Sequence, residues 1–171
     1  MKILLIVAMK SELQGFLSKI KFEVNFYKGF DYHYAKIDDK EIYLLKSEVG
    51  KVNAAILTST FIQKVKPKYV INAGIGGSLH ENIKPYSTIF STKVAYFDVD
   101  LTPFGLPLGQ LDNMDLYFKS SKILHKTVDL NDYKGLIVSS DTFVCKNEQK
   151  ERVLPPALFS CNYGFFAVFY G

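Results

Sequence analysis

The sequence predicts an α/β fold, three layers deep around a central mixed sheet, and three observations predict it. The opening strand is apolar at every position, the pattern of a sheet strand covered on both faces. Apolar runs of strand length alternate with segments of helical period. Hydrophobic residues make up 48% of the 171, which suits the core of one compact domain.

Residues 3–8 form that first run, and Lys10, Ser11 and Glu12 follow it directly with no small-residue cleavage site, so the opening reads as a buried strand and not as a secretory leader. Over residues 11–20 the period changes: Leu13, Phe16, Leu17 and Ile20 share one helical face. Three aromatic and β-branched stretches, residues 22–28, 32–37 and 41–47, are separated by Gly29 and by the turn at Asp38, Asp39 and Lys40, as in a meander. After Gly50, residues 51–66 predict a helix whose inner stripe is Val52, Ala55, Ile56, Ile62 and Val65, stopped by Pro67. Residues 69–73 are a buried strand leading into the glycine-rich loop at 74–78.

Further along, residues 87–96 read as a strand, 98–110 as a loop punctuated by proline and glycine with exposed apolar residues, 115–127 as a helix and 135–139 as a strand. Residues 153–171 stand apart. They contain no charged residue and no histidine, yet they gather Phe159, Tyr163, Phe165, Phe166, Phe169 and Tyr170 after a Pro155-Pro156 break, where a terminal helix would show a polar face. The expected division is therefore residues 1–152 as the folded domain and 153–171 as a divergent aromatic tail.

Composition narrows the function. Lys plus Arg number 21 against 17 Asp plus Glu, a formal +4, but the lysines are scattered, so no nucleic-acid patch is expected. Arg152 is the single arginine, which disfavours phosphate-dependent chemistry built on several guanidinium forks. Cys145 and Cys161 form neither a metal-ligand pattern nor a disulfide framework, and no apolar run is long enough to span a membrane. A cytoplasmic protein with no membrane contact is expected.

Several residues have two readings each. Glu12 lies just past the carboxyl end of the first strand, where open α/β sheets place ligands; it is either a general base or an acid suited to a first helical turn. The glycines of residues 74–78 either let backbone amides approach a ligand or make a tight turn; the spacing is that of neither a P-loop nor a dinucleotide fingerprint. Asp98 and Asp100 alternate on one face of a strand end and are read as loop caps in preference to an acid pair. Asp141 is read as a turn cap, and His33, His80 and His125 as isolated surface or core residues; no metal site is expected.

Order and spacing say more. Ala8-Met9-Lys10-Ser11-Glu12 is followed by Val49-Gly50-Lys51-Val52-Asn53-Ala54-Ala55, then by Asn72-Ala73-Gly74-Ile75-Gly76-Gly77-Ser78-Leu79. Asp98-Val99-Asp100-Leu101-Thr102-Pro103-Phe104-Gly105 with Gly109-Gln110, and Ser139-Ser140-Asp141-Thr142-Phe143-Val144, complete the series. Over residues 1–152 the chain resembles the 5'-methylthioadenosine/S-adenosylhomocysteine nucleosidases of the purine nucleoside phosphorylase superfamily. The resemblance implies the nucleoside phosphorylase-like three-layer fold without its last elements, and hydrolysis of the ribose-adenine bond without a cofactor.

It further implies that Glu12 activates the attacking water and stabilises an oxocarbenium-like transition state. By the same likeness Ala8, Met9, Ile75, Gly76 and Gly77 would line the nucleoside site, Phe143 would stack on adenine and the Val144 backbone would bond its edge. Leu101, Phe104, Leu106 and Pro107 would form a subunit-interface loop reaching a neighbour's pocket in a homodimer. Ile75 stands where many members carry a small polar residue, and Phe97 where they often carry His. The family's Met-Glu ribose clamp and its leaving-group acid have no counterpart after Glu151, so the expected activity is impaired by roughly two to four powers of ten. A frameshift or premature stop near Val153 is the expected origin. The alternative expectation is a catalytically inactive nucleoside-binding or dimerising remnant.

Overall fold

The computed structural model describes residues 1–123, 133–146, 148–149 and 157–162. These divide into two compact units, residues 1–75 and residues 76–162. The α/β class with mixed sheets is realised, its strands shared between two five-stranded sheets, one in each unit.

In the first unit β1 (Lys2–Val7) is flanked by parallel partners: β4 (Lys40–Lys46) on one side and β5 (Tyr69–Asn72) on the other. β2 (Glu23–Tyr27) and β3 (Phe30–Ile37) add an antiparallel meander, for the order β2-β3-β4-β1-β5. The continuous apolar run of β1 has the reason foreseen, because its alternate side chains enter different cores. Leu4 and Ile6 pack with Leu57, Phe61 and Val65 of α2 (Lys51–Val65), whereas Leu5 and Val7 pack with Leu13, Phe16 and Leu17 of α1 (Lys10–Leu17). Two helices therefore cover opposite faces of one sheet, the three-layer arrangement.

The α2 stripe corrects the sequence expectation. Ala54, Leu57, Phe61 and Val65 are the buried positions, while Val52 and Ile56 are 67% and 52% exposed and Ala55 is exposed as well. The helix carries two apolar stripes, and the larger side chains of the second fill the space over β1. Phe61, wholly buried, receives Tyr27, Phe30 and Tyr32 edge-on at 5.8, 6.5 and 5.3 Å between centroids. The Lys64 ammonium lies 4.0 Å from the centre of the Tyr27 ring and donates to the Tyr32 hydroxyl at 3.1 Å. Lys66, in the left-handed region at φ 49°, ends α2 one residue before Pro67.

The second unit orders its strands β6-β10-β9-β7-β8. β7 (Ile89–Tyr96), β9 (Tyr133–Ser140) and β10 (Ala157–Asn162) run parallel, and the two-residue strands β6 (Gly77–Ser78) and β8 (Phe118–Lys119) pair antiparallel at the margins. Part of the expected 153–171 tail is thus a sheet strand; its other residues lie outside the described ones. The helix expected over 115–127 is not formed where it begins. Residues 118–119 pair with β7, held by Phe118 edge-on to Tyr96 at 6.1 Å, by Lys93 3.8 Å from the Tyr117 ring centre, and by the buried Ser91–Ser120 hydroxyl pair at 2.6 Å. Cross-strand contacts outweigh the local helical period there; residues 124–132 lie outside the described ones.

Tyr43 of β4 donates to the Glu41 carboxylate at 3.2 Å, and burial together with that acceptor raises its hydroxyl from 10.0 to about 12. The folded state favours the protonated phenol, so this contribution to stability is complete below pH 10.0 and is lost as the pH rises through about 12. Ultraviolet titration of the folded protein should show Tyr43 among the last tyrosines to ionise, and Tyr43→Phe should remove amplitude from that late phase.

Candidate active site

Glu12 is the third residue of α1 and is buried, 8% exposed, with its carboxylate bonded to backbone. Oε2 accepts the Ala8 and Met9 N–H groups, each at 2.8 Å, and Oε1 accepts the Ile75 N–H at 2.9 Å. The geometry realises the helix-start reading of Glu12 and places its carboxylate at a strand end. The carboxylate returns to the N–H of the N-cap residue Met9, which serves the helix start, and it also faces the loop after β5, at the carboxyl ends of adjacent parallel strands.

The sequence expectations meet here in part. Ala8, Met9, Glu12 and Ile75 are brought together around one carboxylate, Ala8 buried and Ile75 with 63% of its surface exposed. β1 and β5 run in register, and the Ala73 N–H donates to the Ile6 carbonyl at 2.9 Å, so the chain leaves β5 beside the β1–α1 corner. Gly76 and Gly77 belong to the second unit, where Gly77 opens β6.

In that unit β9 ends in a turn at Ser140, whose hydroxyl accepts the Thr142 N–H at 2.7 Å and donates to the Thr142 carbonyl at 2.9 Å. Phe143 is half exposed and Val144 is buried. Asp98 and Asp100 each accept a backbone N–H, as loop caps do. The Asp98 carboxylate accepts the Asp141 N–H at 2.9 Å across 43 residues, and Asp100 accepts the Thr102 N–H and hydroxyl at 3.1 and 2.7 Å. The second contact starts a short 3-10 turn, Thr102–Phe104, ended by Gly105 at φ 81°. Phe104 is 82% exposed on this loop, Pro107 is exposed, and Leu101 and Leu106 are half-buried.

A shallow pocket of about 220 Å³ lies against the same loop, lined by Phe97, Asp98, Asp100, Leu108, Thr142 and Gln149. No residue expected at the site from the sequence lines it. Its members come from segments far apart in sequence, joined by the Asp98–Asp141 contact and by the Phe97 N–H donating to the Ser139 carbonyl at 2.9 Å. His33 stands edge-on to Phe22 and the His80 N–H donates to the Ser78 hydroxyl, separately; His125 lies outside the described residues. Among the described residues no group of three or more His, Cys, Asp or Glu side chains is placed to hold a metal ion.

Comparison with known proteins covers most of the chain. A family model described as the phosphorylase superfamily matches residues 2–161, reaching into β10. The 5'-methylthioadenosine/S-adenosylhomocysteine nucleosidase of Staphylococcus haemolyticus is 40% identical over 145 residues, covering 79% of this chain and 61% of the relative. That of Buchnera aphidicola is 34% identical over 154 residues, covering 85% and 61%. The chain thus spans about three fifths of the length of these curated relatives. Among solved structures, the S. pneumoniae nucleosidase with the transition-state inhibitor MT-ImmA superposes with a TM-score of 0.86 at 31% identity, over 96% of this chain and 76% of that one.

The Asp98 contact makes a local prediction. Asp98→Ala should speed amide exchange at Asp141 by about tenfold, the loss of one charge-assisted bond, with exchange in β1 unchanged, as NMR would record.

Proposed function

Since this chain belongs to the phosphorylase superfamily, within its 5'-methylthioadenosine/S-adenosylhomocysteine nucleosidase branch, we propose that it hydrolyses the N-glycosidic bond of such thioether nucleosides and releases adenine. The observation that carries the reading is the Glu12 carboxylate, fixed by three backbone N–H groups where β1 and β5 end. In this reading Glu12 takes a proton from water as the water oxygen bonds to C1' of the ribose. The electron pair of the C1'–N9 bond leaves with adenine, which takes a proton from solvent, and Glu12 returns to solvent the proton it took. Positive charge gathers on the sugar at the transition state, and a nearby carboxylate stabilises it. No cofactor enters.

Ala8, Met9, Ile75, Gly76 and Gly77 line the nucleoside site in this proposal, and Phe143 stacks on the purine while the Val144 backbone bonds its edge. The half-exposed Phe143 ring supports that assignment. Adenine release from 5'-methylthioadenosine by the purified protein tests the reaction, and Glu12→Gln should lower the rate at least about a hundredfold. Adenine release that survives the substitution removes Glu12 as the base. A folded protein that binds the nucleoside and releases no adenine points to the inactive binding remnant.

The reading extends to a homodimer in the cytoplasm. Val49, Val52 and Ile56 put exposed apolar surface at and along α2, and Phe104 does so on its loop; such surface suits a subunit contact. Sedimentation should give a dimer, and Val52→Glu with Ile56→Glu should shift it to the monomer; a monomeric wild type would refute the assembly.

A further inference from the structure

The three bonds to Glu12 are distributed unequally between its oxygens, and the loop they hold is a short span between β5 and β6. A carboxylate offers about four in-plane acceptor sites, two on each oxygen. Oε2 spends both on Ala8 and Met9, while Oε1 spends one on Ile75. Ile75 is 63% exposed, so its side chain does little to fix the backbone. Just before it, the Ala73 N–H still belongs to the sheet, on the Ile6 carbonyl. Past that bond, and before Gly77 pairs in β6, the Glu12 carboxylate holds the chain at the β1–α1 corner.

We propose that Glu12 is a positioning residue as well as a base: it clasps the backbone at Ile75 against the end of β1, and Oε1 alone keeps an acceptor site free for the reacting water. The second half of this rests on the nucleosidase reading, and the first half does not. In the reaction the proton of the water passes to Oε1 while the Ile75 N–H remains on the same oxygen. The carboxylate is therefore held in place by the loop whose position it sets.

The amide isostere separates the two roles. Glutamine presents one acceptor oxygen and one NH2 group, so whichever way it turns, its NH2 meets a backbone N–H. Turned toward Ala8 and Met9, the oxygen satisfies two donors at the start of α1; turned toward Ile75, it satisfies one. The first orientation is favoured, and the Ile75 N–H loses its acceptor.

Backbone amide exchange of the whole chain, measured by NMR, should be at least about tenfold faster at Ile75 in Glu12→Gln than in wild type, with Ala8 and Met9 changed little. Equal exchange at Ile75 overturns the clasp. A second variant, with the Ile75 amide replaced by an ester through a hydroxy-acid analogue of isoleucine, deletes the N–H and keeps the Glu12 carboxylate. It should lower kcat for adenine release about tenfold with KM within about twofold; an unchanged kcat overturns the positioning role. If the wild type releases no adenine, the nucleosidase reading fails, yet exchange at Ile75 still decides the clasp.

Discussion

A carboxylate that satisfies three backbone N–H groups cannot easily leave the place where they converge, and Glu12 is such a group. Two of those donors are at the start of a helix with no N-cap side-chain bond, and the third is in the loop after the neighbouring strand. Each unmet buried donor costs on the order of 1–3 kcal/mol. The helix start, the strand end and the loop are therefore tied by one residue, and the chemistry proposed for it inherits the rigidity of the sheet below.

That sheet is placed by β1. Its two parallel neighbours fix its register, and its alternating side chains divide between the α1 and α2 cores. Burial on both faces makes a one-residue slip costly, because it would exchange the sets of side chains offered to the two helices. Precision at the carboxyl end of β1 follows from packing along its whole length.

How far this was legible depends on range. The apolar run of β1, the helical period of α1 and Pro67 after α2 are local signals, and each predicted its element to within a residue or a few. The α2 face was misread because Val52, Ala55 and Ile56 form as good an apolar stripe as Ala54, Leu57, Phe61 and Val65; periodicity finds stripes and not what covers them. β8 was hidden because its pairing with β7 lies outside the window a helical period examines. Among the site residues, Glu12 was visible by its position after a buried strand, while its partner Ile75 is 63 residues away and donates through its backbone. A backbone donor leaves no mark on residue identity, and neither does the Asp98–Asp141 contact, with a partner 43 residues distant.

The position of β10 bears on how the protein is made. It is the last of the described strands but interior in its sheet, between β9 and β6. On a ribosome, the described strands of the first sheet, β1 to β5, are all present once residue 72 has emerged, and they can pair. The second sheet has to wait for residues 157–162, with the β9 edge meanwhile open along the side that β10 will cover. Domains generally fold in order of synthesis, and an open strand edge invites pairing with another chain. The nascent protein thus passes through an interval in which β1 to β5 can already pair while the β9 edge is still adhesive, the stage at which a chaperone would matter most.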